Sequence, residues 1–188
     1  EGLGSVDRKS FDKNDPFGVP RLKAEIEKVG KVRVKNISAP SPKVLEGELE
    51  FSDIDAFARS DAGSPSGGIL SFSKKGSEKT LRISINKESI RASKALSSVR
   101  ENELFRMFGP YENEGLSEAE YLEMMEWTLT EEGARLIPSS YVYLDITVPS
   151  SVLAQTGGTV KGKTVSFRIP LIDLLLLNKP LSYTVTYL

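Results

Sequence analysis

The strictest alternation of apolar and polar positions lies late in the chain. Over residues 141–148, Val142, Leu144, Ile146 and Val148 fall on one side and Tyr141, Tyr143, Asp145 and Thr147 on the other. A period of two is that of a strand with one buried face. Residues 164–169 alternate in the same way, Val165, Phe167 and Ile169 inward, after a tight-turn signal at Val160, Lys161, Gly162 and Lys163. Residues 182–187 predict a last strand. Earlier, residues 31–37 set Val32, Val34 and Asn36 against Lys31, Arg33 and Lys35, and residues 43–51 set Leu45, Gly47, Leu49 and Phe51 against Glu46, Glu48 and Glu50. Opposite charge on the two polar faces predicts an antiparallel pair, joined by the Ser- and Pro-rich segment 38–42. Residues 68–74 and 79–85 predict a hairpin about Lys75, Gly76 and Ser77.

Helical spacing is weaker and is read mainly from caps. A helix follows Pro20, with Leu22, Ile26 and Val29 on one face and Gly30 as its stop. Ser52 with Asp55 three residues on fits a capping box before a short helix ending at Arg59. Ser117 with Glu120 fits a second, with Leu116 and Tyr121 as its hydrophobic staple. The helix it opens carries Tyr121, Leu122, Met124, Met125 and Leu129 and is expected to fray near Gly133. Residues 86–109 read as helical in pieces, anchored by Leu104, Phe105 and Phe108, and residues 61–68 as a loop and hinge. The elements together predict an α+β fold: a mostly antiparallel β-sheet of about six or seven strands with helices packed on one face. Residues 1–19 read as an irregular lead-in and residues 20–188 as a single α+β domain.

Composition sharpens this picture mainly by exclusion. Among 188 residues there is neither Cys nor His, which removes thiol and imidazole nucleophiles, Ser-His-Asp triads and the usual zinc sites. The chain is therefore expected to be no enzyme, with no catalytic residue, metal site or cofactor. Lys and Arg total 25 against 26 Asp and Glu, so no surplus of positive charge points to nucleic acid. The longest nearly apolar stretch, 169–177, holds Pro170 and Asp173 and falls far short of the roughly 20 residues of a membrane helix, so no transmembrane span is expected.

Three segments carry a family resemblance: Leu3-Gly4-Ser5-Val6-Asp7, Leu49-Glu50-Phe51-Ser52-Asp53-Ile54-Asp55-Ala56 and, most strongly, Gly157-Gly158-Thr159-Val160-Lys161-Gly162-Lys163-Thr164-Val165-Ser166-Phe167. Together they resemble bacterial lipoproteins with an LppM-like domain, of the kind found in spirochaetes and actinobacteria. The resemblance implies a precursor with a signal peptide and an acylated N-terminal Cys, and a cell-envelope location on the periplasmic or outer-surface side. It also implies membrane attachment through that lipid anchor alone, and a lipid or another envelope protein as partner. Glycolipid or lipid binding is implied for the LppM branch only. This chain would begin after the lipidated Cys and after a first strand. The matched motifs are turns, caps and hairpins, so they transfer no functional residue.

Several positions have both a functional and a structural reading. The run Leu174, Leu175, Leu176 and Leu177 cannot alternate in and out between strands; it is a lid, lipid contact or oligomer interface, or else a buried helical turn. Met124 and Trp127, with Met125 and Tyr121, line either a lipid-binding surface or the core-facing stripe of an amphipathic helix. Asp173 interrupts an apolar run, either as a turn cap or water-facing group or as half of an acid/base pair. Tyr141 and Tyr143 could stack on sugar or peptide, or reflect strand propensity alone. Gly67-Gly68 and Gly157-Gly158 lack the ending of a phosphate loop and read as turns. Two functions stay open: a lipid- or apolar-ligand-binding lipoprotein domain, and a protein interaction or scaffold domain without a small-molecule ligand.

Overall fold

The computed structural model describes residues 19–28, 31–41, 44–59, 68–92, 103–111, 113–129 and 131–188. They are α+β, every strand pairing is antiparallel, and the chain divides into two compact units, one ending at Phe57 and the other beginning at Ala58.

In the first unit a helix, α1 (Val19–Lys28), precedes the two-stranded ribbon of β1 (Val32–Ser41) and β2 (Val44–Phe51). Arg33 pairs with Glu50 across it at 2.8 Å and Lys35 with Glu48 at 2.9 Å, the charge complementarity that the two polar faces predicted. The faces themselves differ from the simple alternation. A bulge at Lys35 shifts the register between Val34 and Asn36, so Asn36 lies opposite Glu48 on the charged side and Ile37 opposite Gly47 on the apolar side. A second irregularity spans Ala39 and Pro40, where proline has no N–H to give to the ladder, and β1 nevertheless runs through to Ser41. The helix after β2, α2 (Ile54–Arg59), is capped by Asp53, whose carboxylate accepts the Ala56 N–H at 2.9 Å. Ser52, expected in that role, instead directs its hydroxyl to the Lys31 carbonyl.

The second unit holds two sheets. Strands β3 (Leu70–Lys75), β4 (Glu78–Ile85), β6 (Val152–Thr156) and β9 (Leu181–Tyr187) form one, in the order β3-β4-β9-β6; β5 (Tyr141–Thr147), β7 (Thr159–Lys161) and β8 (Thr164–Pro170) form the other, in the order β5-β8-β7. The single sheet of six or seven strands is thus corrected to nine described strands in three sheets. Strand β6 escaped the pattern because Val152, Leu153 and Ala154 run on without alternating. The inner faces of the two sheets meet in a cluster of Val148, Val165, Phe167, Val185 and Tyr187, with Phe72, Leu144, Ile146, Val152 and Tyr183 packed against it. The chain changes sheets at Gly157-Gly158. Gly157 has φ of 85° and backs onto the Tyr183 ring, while Gly158 lies so close to Phe167 that an added Cβ would fall 2.7 Å from its Cε1. Gln155 clamps this corner, its side-chain amide donating to the Gly158 carbonyl and accepting the Gly158 N–H, both at 2.7 Å.

The remaining helices are α3 (Lys87–Ala92), α4 (Glu103–Phe108), α5 (Glu118–Thr128), α6 (Glu131–Leu136) and α7 (Leu171–Leu176). Tyr121, Met125, Ala134, Ile137, Ile172 and Leu176 form a second core, in which α5, α6 and α7 meet. The Ser117/Glu120 capping box is present in full, and Leu116 packs against the same core as Tyr121, as a staple requires. Gly133 does not end this helix: α5 stops at Thr128, and Gly133 lies inside α6. Phe108 packs on the second core, whereas the side chains of Leu104 and Phe105, like Gly30 and the 61–67 loop, lie outside the described residues.

Candidate ligand-binding surface

The ribbon of the first unit is built with one charged and one apolar face. Through the bulge, Val32, Val34, Ile37, Leu49 and Phe51 share a side, Val32 facing Phe51 and Val34 facing Leu49 across the ladder. The helix α1 brings Leu22 and Ile26, both half-buried, to this unit at helical spacing, and Val34 is the one buried apolar side chain among its described residues. Cover does not extend to β2. Leu45, Leu49 and Phe51 remain 42%, 39% and 37% exposed, although a period-two strand with three glutamates on its outer side would normally bury them. Phe57 of α2 makes an edge-to-face contact with Phe51 at 4.9 Å between centroids.

At one end of the ribbon an open cleft of about 440 Å³ is lined by Lys31, Val32, Arg33, Glu50, Phe51 and Ser52. It sets the apolar pair Val32 and Phe51 beside the Arg33–Glu50 ion pair. Hydrogen bonding to Glu48, reinforced by the charge of the same carboxylate, raises the pKa of the Lys35 ammonium. Such a surface can hold an apolar group against its stripe and a polar one at its rim.

No family model, curated protein or solved structure matches the chain.

The residues singled out by the sequence lie in the other unit, where Leu175, Leu176 and Met124 come together on one core and Trp127 stands apart from it. Leu174 to Leu177 fall on α7 and its C-terminal cap, with Leu176 and Leu177 buried and Leu174 and Leu175 half-buried. Leu175 and Leu176 belong to the helical core, and Met124 packs against that same core. Trp127, three residues further along α5, is outside that core and 86% exposed. Asp173 is exposed on α7; Tyr183 has its phenol pKa pushed up, first by burial and then by the negative charge of Asp173. Among the described residues no group of three acidic side chains is placed to hold a metal ion, and no helix is long and apolar enough to cross a membrane. The exposed stripe of β2 was missed because alternation marks an apolar face without saying whether a second layer covers it.

Proposed function

We propose that the chain is a non-catalytic domain of a cell-envelope lipoprotein that binds a lipid or another apolar ligand along the β1–β2 ribbon. The observation that carries the reading is the open apolar stripe of Leu45, Leu49 and Phe51 on a strand whose opposite face carries Glu46, Glu48 and Glu50. An amphiphile lying there would remove about 25 cal/mol of unfavourable hydration for each Å² of apolar surface covered, with its polar end beside Arg33 and Glu50. The envelope location and the lipid anchor rest on the resemblance to LppM-like lipoproteins. Native mass spectrometry with a long-chain fatty acid tests the binding: retention by the wild-type chain, reduced about tenfold in a Leu49→Ser, Phe51→Ser double variant, supports it. No retention by the wild-type chain rejects it. Metabolic labelling of the full precursor with a palmitate analogue tests the anchor separately.

A second reading, an interaction or scaffold domain without a small-molecule ligand, is favoured by Trp127. A tryptophan this exposed is typical of the anchors that dominate protein interfaces. Its test is cross-linking in cells: a discrete adduct that disappears with Trp127→Ala supports the reading, and an adduct pattern unchanged by the substitution removes it.

A further inference from the structure

The outer face of the β5-β8-β7 sheet carries a group of side chains that the core does not use. Register places Tyr141, Tyr143, Asp145 and Thr147 of β5 on this face, opposite Pro170, Arg168, Ser166 and Thr164 of β8. Tyr143 is 69% exposed. Its ring lies 6.1 Å from that of Tyr141, centroid to centroid, and the Arg168 guanidinium stacks over Tyr141 at 3.5 Å. Stacking of this kind holds the guanidinium plane in place while leaving its N–H edge open. Among the described residues the side chain of Arg168 forms no ion pair or hydrogen bond, and neither does that of Asp145, one rung along the ladder on the far side of Tyr143. A free cation and a free carboxylate thus flank one exposed aromatic ring without neutralising each other.

From this we infer that the outer face of the β5-β8-β7 sheet binds a neutral saccharide, with Tyr143 as the stacking plane and Arg168 and Asp145 as the flanking hydrogen-bonding groups. The charges select the class: Arg168 and Asp145 flank the ring with opposite signs, and Lys161, on the same face, stands away from it across β8 on β7. An anion would meet Arg168 favourably but be repelled by Asp145, and a cation would meet the reverse, whereas a polyol offers hydroxyls that donate to a carboxylate and accept from a guanidinium. The flat, apolar side of a pyranose ring suits the face of a tyrosine, which combines an apolar body with a polar tip. Ser166 and the Thr147–Thr164 hydroxyl pair, 2.8 Å apart, extend the polar surface along the strands. This inference uses no residue of the ribbon and stands or falls independently of it.

Titration of the isotope-labelled full chain with cellotriose and with N,N′,N″-triacetylchitotriose, both neutral, followed by amide chemical shifts, is the test. The expected result is saturable shifts confined to β5, β8 and β7 for at least one of the two. Tyr143→Ala should weaken that binding up to about tenfold, the worth of one aromatic stack. Arg168→Ala and Asp145→Ala should each weaken it severalfold, and Glu126→Ala, at an exposed position of α5, should leave it unchanged. The remaining amide shifts of each variant report that the sheet is intact. Absence of shifts with both sugars, shifts centred elsewhere, or binding indifferent to Tyr143 overturns the inference. So does a stronger response to acetate or to a short acidic or basic peptide, since the face would then recognise charge.

Discussion

Gly158 illustrates how far a single residue constrains this fold. A Cβ there would lie 2.7 Å from the Phe167 ring and 2.9 Å from the Ser166 carbonyl, and the ring cannot retreat because Tyr183 meets it edge-on at 5.2 Å. Gly158→Ala is therefore expected to lower stability by about 1–3 kcal/mol, the usual cost of overpacking, measured by urea denaturation. Tyr121 carries a different constraint. Fully buried, it donates to the Phe108 carbonyl at 2.8 Å, and burial pushes its phenol up to about 12 from an ordinary 10.0. The folded chain then holds this proton at pH values where the unfolded chain releases it. Its contribution to stability is complete below pH 10 and declines as the pH rises toward 12. Tyr121→Phe should flatten that alkaline decline in denaturation curves, while costing about 1 kcal/mol at neutral pH for the donor lost. Leu177 adds a third case: a buried leucine in the left-handed region at φ of 44°, a conformation costing about 1–2 kcal/mol that only its tertiary packing can offset.

Among the elements, those bounded by a local rule were legible in the chain and those shaped by neighbours were not. The Ser117/Glu120 box is self-contained, each partner satisfying a backbone N–H of the other, and it was read correctly. Its carboxylate is held below its usual range by the Ser117 backbone N–H and then by the hydroxyl. Ser117→Ala should destabilise the protein by about 1 kcal/mol in the same urea experiment, because the Glu120 N–H loses its side-chain acceptor. By contrast Ser52 and Asp53 are both competent caps, and the choice of Asp53 follows from Ser52 being engaged with Lys31, a contact 21 residues distant. The bulge at Lys35 has the same character. Alternation put Asn36 on the apolar side, yet pairing with β2 moves Ile37 there and sends Asn36 toward Glu48, because burying an amide in place of an isoleucine would leave its polar atoms unsatisfied.

At the scale of the whole molecule the two units differ in what holds them. Both extended apolar cores belong to the second, whereas the described part of the first has Val34 as its buried apolar side chain and relies on the ribbon ladder and its exposed ion pairs. Exposed pairs contribute little, typically under about 1 kcal/mol each. Hydrogen exchange should accordingly be at least about tenfold faster at the β1 and β2 ladder amides than at those of β8 and β9, and equal protection in the two units would contradict this account. A ligand on the stripe of β2 should slow exchange in the first unit selectively, which ties the proposed function to the same measurement.

Periodicity, charge sign and turn residues, all properties of neighbours along the chain, were enough to establish antiparallel strands, the charged ribbon and the capping box. Which apolar face is covered was decided only by the tertiary structure. Of the four consecutive leucines that looked most available, Leu175 and Leu176 are folded into or against a helical core and Leu177 is buried, while the regular stripe of Leu45, Leu49 and Phe51 and the lone Trp127 are open to solvent. The physical reason is that burial depends on a second layer contributed by distant segments, and no local pattern records whether that layer arrives.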